Sequence, residues 1–328
     1  MTALLSIADL AVTFPGRRPV AALSGVGFEI GRGEVVALVG ESGSGKSVTS
    51  LATMGLLPSN ARISGRAEFR CRDGDVIDLL KGRGGATVRG NEIAMIFQEP
   101  MTSLNPVMKI GEQIGEGLRI HEKASAVAAR ARARELLVRV GIPDPDRRLD
   151  AYPHEMSGGM RQRAMIAMAL VCRPSLLIAD EPTTALDVTI QAQILDVLRD
   201  LQRETGMAVL FITHDLGVVA EFAARTVVMY AGRVVETGPT AEILASPRHP
   251  YTAGLLNSMP ALTGPGEARR RVNPIPGQPP DMAAPPPGCA FSPRCGQMKP
   301  GLCDAAVPAL ETFGSRAVRC ALTMVEAR

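Results

Sequence analysis

Short apolar runs separated by helical segments set the pattern of the central part of the chain. Each run is rich in Val, Ile, Leu and Ala, and the runs lie at 34–39, 93–97, 176–179, 208–213 and 226–230. Short runs without alternation are typical of strands that are buried on both faces. Because helical segments separate them, the pattern predicts an α/β fold built on a parallel sheet.

Two regions depart from this pattern. Residues 5–14 and 20–30 form β-like pieces around a Pro-Gly turn, which predicts an antiparallel lobe ahead of the sheet. From about 102 to 170 the periodicity becomes helical, with Ser125 as the N-cap of one helix and Gly141 as its stop. We therefore predict a helical subdomain inserted after the second apolar run.

The composition changes in the C-terminal part of the chain. Nine prolines fall between residues 259 and 288, and such a segment is extended rather than helical. Cysteines are concentrated beyond it. We predict a main domain at 1–257, a Pro-rich linker at 258–288 and a small cysteine-rich tail at 289–328.

Charge and hydropathy narrow the classes of function. The 328 residues carry 36 basic and 33 acidic side chains, a net charge of +3, so the balance does not demand nucleic acid as a partner. No run of about 18 apolar residues could span a bilayer, and the N-terminus lacks a basic-then-apolar signal segment. We expect a cytoplasmic chain, or one attached to a membrane only through partners.

Most of the six cysteines crowd the tail, at Cys289, Cys295, Cys303 and Cys320. In a reducing compartment such a group favours a metal site over a disulfide framework. Four thiolates can hold tetrahedral Zn²⁺ or an iron-sulfur cluster, and unligated buried cysteines are a third interpretation. The other two, Cys71 and Cys172, are typical of small core residues.

The stretch from Gly40 to Ser47 matches the phosphate-loop pattern G-x-x-x-x-G-K-[ST] at every fixed position. It lies between a predicted strand and a helix start, so its backbone N–H groups can surround a phosphate. Lys46 would reach the β- and γ-phosphates of a nucleoside triphosphate, and the Ser47 hydroxyl would bind Mg²⁺. The residues assigned to this site are Ser42, Gly43, Ser44, Gly45, Lys46, Ser47 and Val48. A glycine-rich turn that only starts a helix is the other interpretation.

Two carboxylates follow the run at 176–179. Asp180 and Glu181 stand at the carboxyl end of a predicted buried strand, where a parallel sheet presents its ligand-binding edge. Asp180 suits Mg²⁺, and Glu181 can accept a proton from a water that attacks the γ-phosphate. Alone, the pair would fit a solvated strand end equally well. Together with the loop around Lys46 it favours nucleotide hydrolysis.

A second glycine-containing helix start runs from Ser157 to Arg163. It offers backbone N–H groups and a serine hydroxyl to a phosphate, although one phosphate loop already suffices for one nucleotide. The second site therefore suggests contact with the nucleotide of another copy. Taken together with the phosphate loop and Asp180-Glu181, the chain resembles the ATP-binding subunit of an ABC transporter.

The resemblance covers nearly the whole chain, with the motifs in the family's order. It implies a P-loop ATPase fold and a head-to-tail dimer that encloses two ATP molecules with Mg²⁺. Glu181 would be the general base, and His214 would align the γ-phosphate and the attacking water. Gln98 would contact Mg²⁺ together with Ser47 and Asp180. The residues that would contact ATP in trans, or lie across the dimer interface, are Ser157, Gly158, Gly159, Met160 and Asp187.

Three of the residues with implied functional roles could instead have a purely structural role. Phe14 resembles the aromatic residue that stacks on adenine in this family, but it would also suit the core of a hairpin. Gln98 could be an exposed strand end, and His214 could be a hydrogen-bonded core histidine.

One branch of the family is especially similar, the ATPases of dipeptide, oligopeptide and nickel importers. Its sequence patterns recur at 97–106, 157–163, 180–189 and 249–252. Met156 replaces the leucine of the general family signature, and Met160 replaces a glutamine, although Met160 is usual in this branch. The tail cysteines resemble the branch's pattern, which is associated with a [4Fe-4S] cluster, and we favour that cluster over Zn²⁺.

The resemblance also implies partners. We expect a peripheral ATPase on the cytoplasmic face of the cell membrane, bound to two transmembrane permease subunits and a second ATP-binding subunit. An extracytoplasmic solute-binding protein would act indirectly, and the transported solutes would be peptides or related compounds. One alternative is a soluble ABC ATPase that acts on ribosomes or DNA, but the sequence has one cassette and no heptad run. A P-loop kinase or GTPase would leave 157–163 without a role.

Overall fold

The computed structural model describes residues 2–81, 84–98, 103–184, 187–258 and 273–326. Its strands are β1 (Ala3–Phe14), β2 (Val20–Gly31), β3 (Val35–Val39), β4 (Arg62–Arg70), β5 (Val76–Asp78), β6 (Ile93–Ile96), β7 (Leu176–Asp180), β8 (Ala208–Thr213), β9 (Arg225–Tyr230), β10 (Arg233–Pro239), β11 (Glu311–Phe313) and β12 (Arg316–Val318). Its helices are α1 (Lys46–Thr53), α2 (Gly84–Val88), α3 (Ile110–His121), α4 (Ala126–Arg139), α5 (Pro145–Leu149), α6 (Gly158–Leu170), α7 (Val188–Thr205), α8 (Leu216–Phe222), α9 (Thr240–Ala245), α10 (Pro250–Asn257) and α11 (Ala321–Glu326). Short 3₁₀ helices lie at Pro153–Glu155 and Ser292–Arg294.

The chain divides into two compact units, each assembled from separate segments. The first unit contains Met1–Leu5, Glu29–Val35 and Glu68–Ile212. The second unit contains Ser6–Phe28, Val36–Ala67 and Thr213–Arg328. The second unit therefore brings together parts of the chain from both of its ends.

Parallel strands form the sheet of the first unit, in the order β8, β7, β6. Ile96 lies opposite Ala179, and Asp180 lies opposite Ile212. β7 and β8 are buried along their whole length. Burial on both faces explains why these strands read as continuous apolar runs, and the strands predicted from those runs are confirmed.

A group of helices lies between β6 and β7 in the first unit. α3 packs against α4, α5 and α6, and α6 also contacts β6. Ser125 is the N-cap of α4, and its Oγ accepts a hydrogen bond from the N–H of Ala128 at 3.2 Å. The side chains of Leu136 and Leu137 bury one face of α4. The predicted helical insertion is confirmed for its described residues, which begin at 103.

The main sheet of the second unit is mixed. β3 pairs with β9 in parallel, and β9 pairs with β10 antiparallel. Every residue of β3 is buried. A further sheet places β1 between β2 and β4, so the two strands predicted at 5–14 and 20–30 are present and adjacent.

The cysteine-bearing tail continues the main sheet of the second unit. β12 pairs antiparallel with β10, so that Glu236 lies opposite Val318, and β11 pairs with β12. Glu236 is fully buried, and its Oε1 accepts a hydrogen bond from the guanidinium of Arg316. Strand pairing and this buried ion pair join the described tail to the second unit. The structure therefore does not show the separate tail domain predicted at 289–328.

The segment ahead of the tail carries no helix or strand from 273 to 288. Most of the earlier part of that linker, 259–272, lies outside the described residues. Among the helices that the structure describes, none combines the length and the hydropathy needed to cross a bilayer.

Candidate active site

The phosphate loop of the second unit joins β3 to α1. Gly40 has a φ of 155°, and a Cβ at this position would lie 2.3 Å from the carbonyl oxygen of Met229. Gly45 caps α1 with a φ of 103°, and a Cβ there would lie 2.6 Å from Cδ2 of Leu23. Both glycines are therefore required by sterics, which accounts for two fixed positions of the pattern.

The same loop contains a buried hydroxyl without a hydrogen-bond partner among the described residues. Ser44 Oγ is buried and has no hydrogen-bond partner within the described ranges. α1 starts without a side-chain cap, because its N-cap residue is Gly45. Gly43 has a φ of 78° and open space on its side-chain side. A buried hydroxyl and an uncapped helix start together suit an anion such as a phosphate.

Lys46 supplies a positive charge beside the loop. Its side chain is buried, and Nζ donates hydrogen bonds to the carbonyl oxygens of Gly40 at 2.7 Å and Glu41 at 3.1 Å. The ammonium therefore bridges the start of the loop. Its predicted contact with the β- and γ-phosphates stays a prediction, as do the roles of the half-buried Ser47 and Val48.

Glu181 follows the end of β7 in the first unit. Its Oε2 accepts hydrogen bonds from Gln98 Nε2 at 3.0 Å and from Thr184 Oγ1 at 2.9 Å. Its backbone N–H donates to the carbonyl of Ile212 at 2.9 Å. Asp180, one residue earlier, is buried. The structure thus brings together Gln98 and Glu181, which are 83 positions apart in the sequence. Thr184 is a contact that the sequence analysis missed, although it lies in the same motif.

The second glycine-containing helix start is the N-terminus of α6. Ser157 is its N-cap, and Ser157 Oγ accepts a hydrogen bond from the N–H of Met160 at 3.3 Å. Ser157 and Gly158 are exposed, whereas Gly159 lies close to Ile190, since a Cβ there would be 3.1 Å from Cγ2 of Ile190. The exposed backbone at Gly158 is available to a second molecule.

Gln162 belongs to the same motif and makes a buried contact that its sequence does not reveal. It is buried, and its Nε2 donates a hydrogen bond to the carbonyl oxygen of Pro182. Pro182 directly follows Glu181. α6 is therefore linked to the segment that carries the candidate general base.

Asp187 has a local structural role. It is the N-cap of α7, and its Oδ1 accepts a hydrogen bond from the N–H of Ile190 at 2.9 Å. The two residues before it, Ala185 and Leu186, lie outside the described residues, as do 99–102 after Gln98. The predicted position of Asp187 across a dimer interface stays a prediction.

His214 and Phe14 belong to the second unit. His214 is exposed and follows β8 directly, just before Asp215, the N-cap of α8. Exposure contradicts the alternative of a buried core histidine. Phe14 is the last residue of β1 and is partly exposed. Its stacking on adenine stays a prediction.

The four tail cysteines line one cavity in the second unit, together with His249 and Phe291. They are all free thiols. Burial raises the pKa of the Cys289 thiol, and the neighbouring Cys320, Cys295 and Cys303 raise that pKa further. The four cysteines that the sequence analysis groups as candidate metal ligands therefore line the same cavity.

His249 is a further polar group of this cavity, which Ser292 also lines. It is fully buried, which lowers the pKa of its imidazole to about 3. Nδ1 accepts a hydrogen bond from the N–H of Tyr251 at 3.1 Å, and the imidazole also interacts with the backbone of Arg319. The neutral ring therefore carries its proton on Nε2.

A metal-binding geometry is not present at the cysteine cavity. Across the described residues, no group of three or more His, Cys, Asp or Glu side chains is placed to hold a metal ion. The donor set suits a cluster or Zn²⁺ chemically. A cluster needs all of its sulfur ligands directed at one centre, and the cysteines here only line the same cavity. The structure therefore does not support the predicted iron-sulfur cluster.

The geometry defines a class of protein. The second unit holds a strand-loop-helix with a buried serine hydroxyl and a buried lysine, and the first unit holds two adjacent acidic residues at the end of a buried parallel strand. These are the parts of a P-loop nucleoside triphosphatase.

Comparison with known sequences is more specific. The model of the family "ABC transporter" matches residues 23–184, and that of "Oligopeptide/dipeptide transporter, C-terminal region" matches 235–303. A putative peptide import ATP-binding protein of Brucella melitensis is 56% identical, over 96% of this chain and 97% of that protein. The oligopeptide transport ATP-binding protein OppD of Bacillus subtilis is 56% identical, over 90% of this chain and 82% of that one. The dipeptide transport ATP-binding protein DppD of the same organism is 51% identical, over 94% and 91%.

Solved structures agree with the sequence comparison. A dimeric ATP-binding cassette in a post-hydrolysis state with ADP and Pi matches with a TM-score of 0.62 and 28% identity, over 72% of this chain and 98% of that one. The chain belongs to the ABC transporter family, in the branch of the oligopeptide and dipeptide transport ATP-binding proteins. It is therefore an ATPase subunit with the ABC ATPase fold, which confirms the resemblance and does not favour a soluble mechanical ATPase.

Proposed function

We propose that the chain hydrolyses ATP to drive import of dipeptides, oligopeptides or related solutes through a membrane ABC transporter. The observation that carries the proposal is the Glu181 carboxylate, which Gln98 and Thr184 hold at the end of β7. A carboxylate held in this way can act as a general base toward water. The peptide class is supported by the names of the relatives and by the family match at 235–303.

In this proposal, the phosphate loop binds the phosphates of ATP. Ser42, Gly43, Ser44 and Gly45 offer N–H and hydroxyl groups, Lys46 offers its ammonium, and Val48 continues the helix that starts there. Mg²⁺ supplies charge neutralisation between the β- and γ-phosphates when bound. Ser47, Asp180 and Gln98 are oxygen donors of the kind that hold it.

Hydrolysis then needs one proton transfer. Water attacks the γ-phosphorus, the bond to the β,γ-bridging oxygen breaks, and ADP leaves with that electron pair. Glu181 accepts the proton of the attacking water. His214, exposed after β8, donates to a γ-phosphate oxygen and so keeps water and phosphate in line.

Two cassettes enclose two ATP molecules in this proposal. Ser157, Gly158, Gly159 and Met160 of one cassette contact the ATP held by the phosphate loop of the other. The exposure of Ser157 and Gly158 supports this role. Asp187 lies at the interface between cassettes, and Phe14 stacks on adenine.

The partners are two transmembrane permease subunits and a second ATP-binding subunit, either a copy or a related chain. The assembly lies at the cytoplasmic face of the membrane, and an extracytoplasmic solute-binding protein delivers the solute to the permeases. The relatives named as peptide import or transport ATP-binding proteins support these assignments.

A [4Fe-4S] cluster at Cys289, Cys295, Cys303 and Cys320, or alternatively Zn²⁺, belongs to the proposal as well. Its support is the single cavity that all four thiols line. The thiols would have to turn toward one centre to bind it, since no such arrangement exists among the described residues. Metal analysis of anaerobically purified protein tests this assignment.

Co-purification tests the importer assignment. Tagged protein is extracted from its host's membranes in mild detergent, and the bound proteins are identified by mass spectrometry. We expect two polytopic permease chains, with or without a second ATPase, and loss of labelled dipeptide uptake when the gene is deleted. Recovery of ribosomes or nucleic acid, or of the chain alone, would contradict transport.

A further inference from the structure

Arg294, in the tail, is bound to the phosphate loop. Its Nη1 lies 2.7 Å from Oε2 of Glu41, and its Nη2 lies 3.1 Å from Oε1. Glu41 is the residue after Gly40, the first glycine of the loop. The contact is a bidentate guanidinium-carboxylate pair, the geometry that gives the strongest and most directional ion pairs. Only 6% of the Arg294 side chain is exposed.

All N–H donors of Arg294 have acceptors. Nε donates to the carbonyl of Pro276 at 2.9 Å, Nη1 also donates to the Tyr230 hydroxyl at 3.3 Å, and Nη2 also donates to the carbonyl of Ile275 at 3.4 Å. With the two bonds to Glu41, every one of the five guanidinium N–H groups is used. The guanidinium is therefore held in place independently of Glu41, as a fixed support rather than a mobile counter-ion.

Aromatic rings surround this support. We call Tyr230, Tyr251 and Phe291 the aromatic cluster; the ring centroid of Tyr230 lies 4.5 Å from that of Tyr251 and 5.2 Å from that of Phe291. Cζ of Arg294 lies 5.8 Å and 5.9 Å from the centroids of Tyr230 and Phe291. These distances are within the range of cation-π attraction.

Tyr251 holds the same loop residue at its backbone. Its side chain is fully buried, and its hydroxyl accepts a hydrogen bond from the N–H of Glu41 at 2.8 Å. The carbonyl of Glu41 accepts from Lys46. The side chain, N–H and carbonyl of Glu41 are thus all fixed, and the last of these bonds leads to the lysine that would bind phosphate.

An ion pair with a buried guanidinium adds little net stability when compared with apolar residues of the same shape, because the buried charge loses its hydration. What it does supply is a defined orientation, since five donors fix the guanidinium and two of them fix the carboxylate. Close control of loop geometry matters at a phosphate site, where small displacements of the binding groups reduce affinity.

We propose that Arg294 and Tyr251 are positioning residues for ATP binding, which act through Glu41 to hold the phosphate loop and Lys46 in their binding geometry. The inference rests on the proposed ATPase function. Both residues lie in the matched C-terminal region at 235–303, so this region has a role at the nucleotide as well as in the tail.

The test compares ATP affinity in full-length wild type, R294Q and Y251F, by titration with ATP and by steady-state kinetics. For R294Q we expect the Kd and KM for ATP to rise about tenfold or more, with kcat at saturating ATP changed by less than about twofold. R294K keeps the positive charge but cannot make the bidentate contact with Glu41, so it should restore ATP affinity only in part. In a double-mutant cycle, E41Q/R294Q should lose no more affinity than the weaker-binding single variant.

R18Q is the matched control. It breaks the Arg18–Asp281 pair of the same unit, which has a similar distance of 2.8 Å but is largely exposed, so ATP affinity should not change. If R294Q does not fold, as judged by circular dichroism, Y251F carries the test because it removes only a hydroxyl. Wild-type ATP affinity in folded R294Q and Y251F would overturn this inference and leave the proposed function intact. Failure of the wild-type protein to bind ATP would instead overturn the proposed function.

Discussion

Glu181 has a backbone φ of 46°, in the left-handed region that non-glycine residues rarely occupy. Such a conformation costs about 1 to 2 kcal/mol. The N–H bond to Ile212 and the two bonds to its carboxylate offset this cost. The strained backbone thus directs one carboxylate at the end of β7. Strained backbone conformations of this kind are typical of active-site residues.

At this scale we predict the effect of Glu181→Gln. The amide keeps the size of the carboxylate but cannot accept the proton of water, so ATP binding should persist while turnover falls by about two orders of magnitude or more. Phosphate release and equilibrium binding of ATP are the measurements.

Glu116→Gln is the control for that experiment, because it alters an exposed glutamate of α3 in the same unit. It should leave phosphate release unchanged. Steady-state hydrolysis near the wild-type rate in the Glu181 variant would show that another group takes the proton.

At the scale of elements, α6 links two motifs. Its N-terminus presents Ser157 and Gly158 to solvent, and Gln162, further along the same helix, binds the carbonyl of Pro182 beside Glu181. A rigid helix transmits a displacement at its start to its next turn. In the proposed dimer, contact of a second cassette with Ser157 would therefore have a short physical route to the candidate general base.

The tail is the other element with a testable property. We predict that protein purified without oxygen contains iron and acid-labile sulfide, and that Cys303→Ser removes both, because all four cavity thiols are needed as ligands. Elemental analysis and visible absorption report the result. Cys172→Ser changes a buried cysteine of the first unit and should leave the metal content unchanged.

The possible results of that analysis separate the interpretations. Zinc without sulfide would select the alternative metal. Neither iron nor zinc in anaerobic protein would show that the cysteines are buried thiols, in agreement with the geometry that the structure describes.

For the whole molecule, the question is how one chain completes an ATP site. Ser157 and Gly158 are exposed, and a Cβ at Gly158 would meet no atom within 4 Å. A solved relative is a dimer of cassettes bound to ADP and Pi. These observations fit a site that a second cassette completes.

We therefore predict that ATP converts the Glu181→Gln variant from monomer to dimer, since slow hydrolysis leaves the nucleotide in place. Light scattering after size-exclusion chromatography measures the mass. A further Ser157→Arg change should prevent dimer formation by placing a long cation at the contact, whereas Ser59→Arg, at an exposed turn, should not. A dimer that survives Ser157→Arg would argue against the contact in trans.

Local patterns predicted much of the fold. The run at 208–213 is β8 and the run at 226–230 is β9 apart from its first residue, because a strand buried on both faces must be apolar throughout. β10 was missed since it contains Glu236, which reads as a surface residue until Arg316, 80 positions later, supplies its partner. A buried charge becomes tolerable only when the tertiary structure brings the opposite charge.

What the sequence by itself determined are the features that depend on neighbours in the chain: the glycines and lysine of the phosphate loop, the Ser125 and Ser157 caps, and the family. Only the tertiary structure decided which distant groups meet. It placed Gln98 on Glu181 and Arg294 on Glu41, and it gathered the tail cysteines around one cavity without turning them toward a common centre. The reason is physical: short-range patterns follow from local sterics and hydrogen bonds, whereas a contact between distant positions depends on how the whole chain packs.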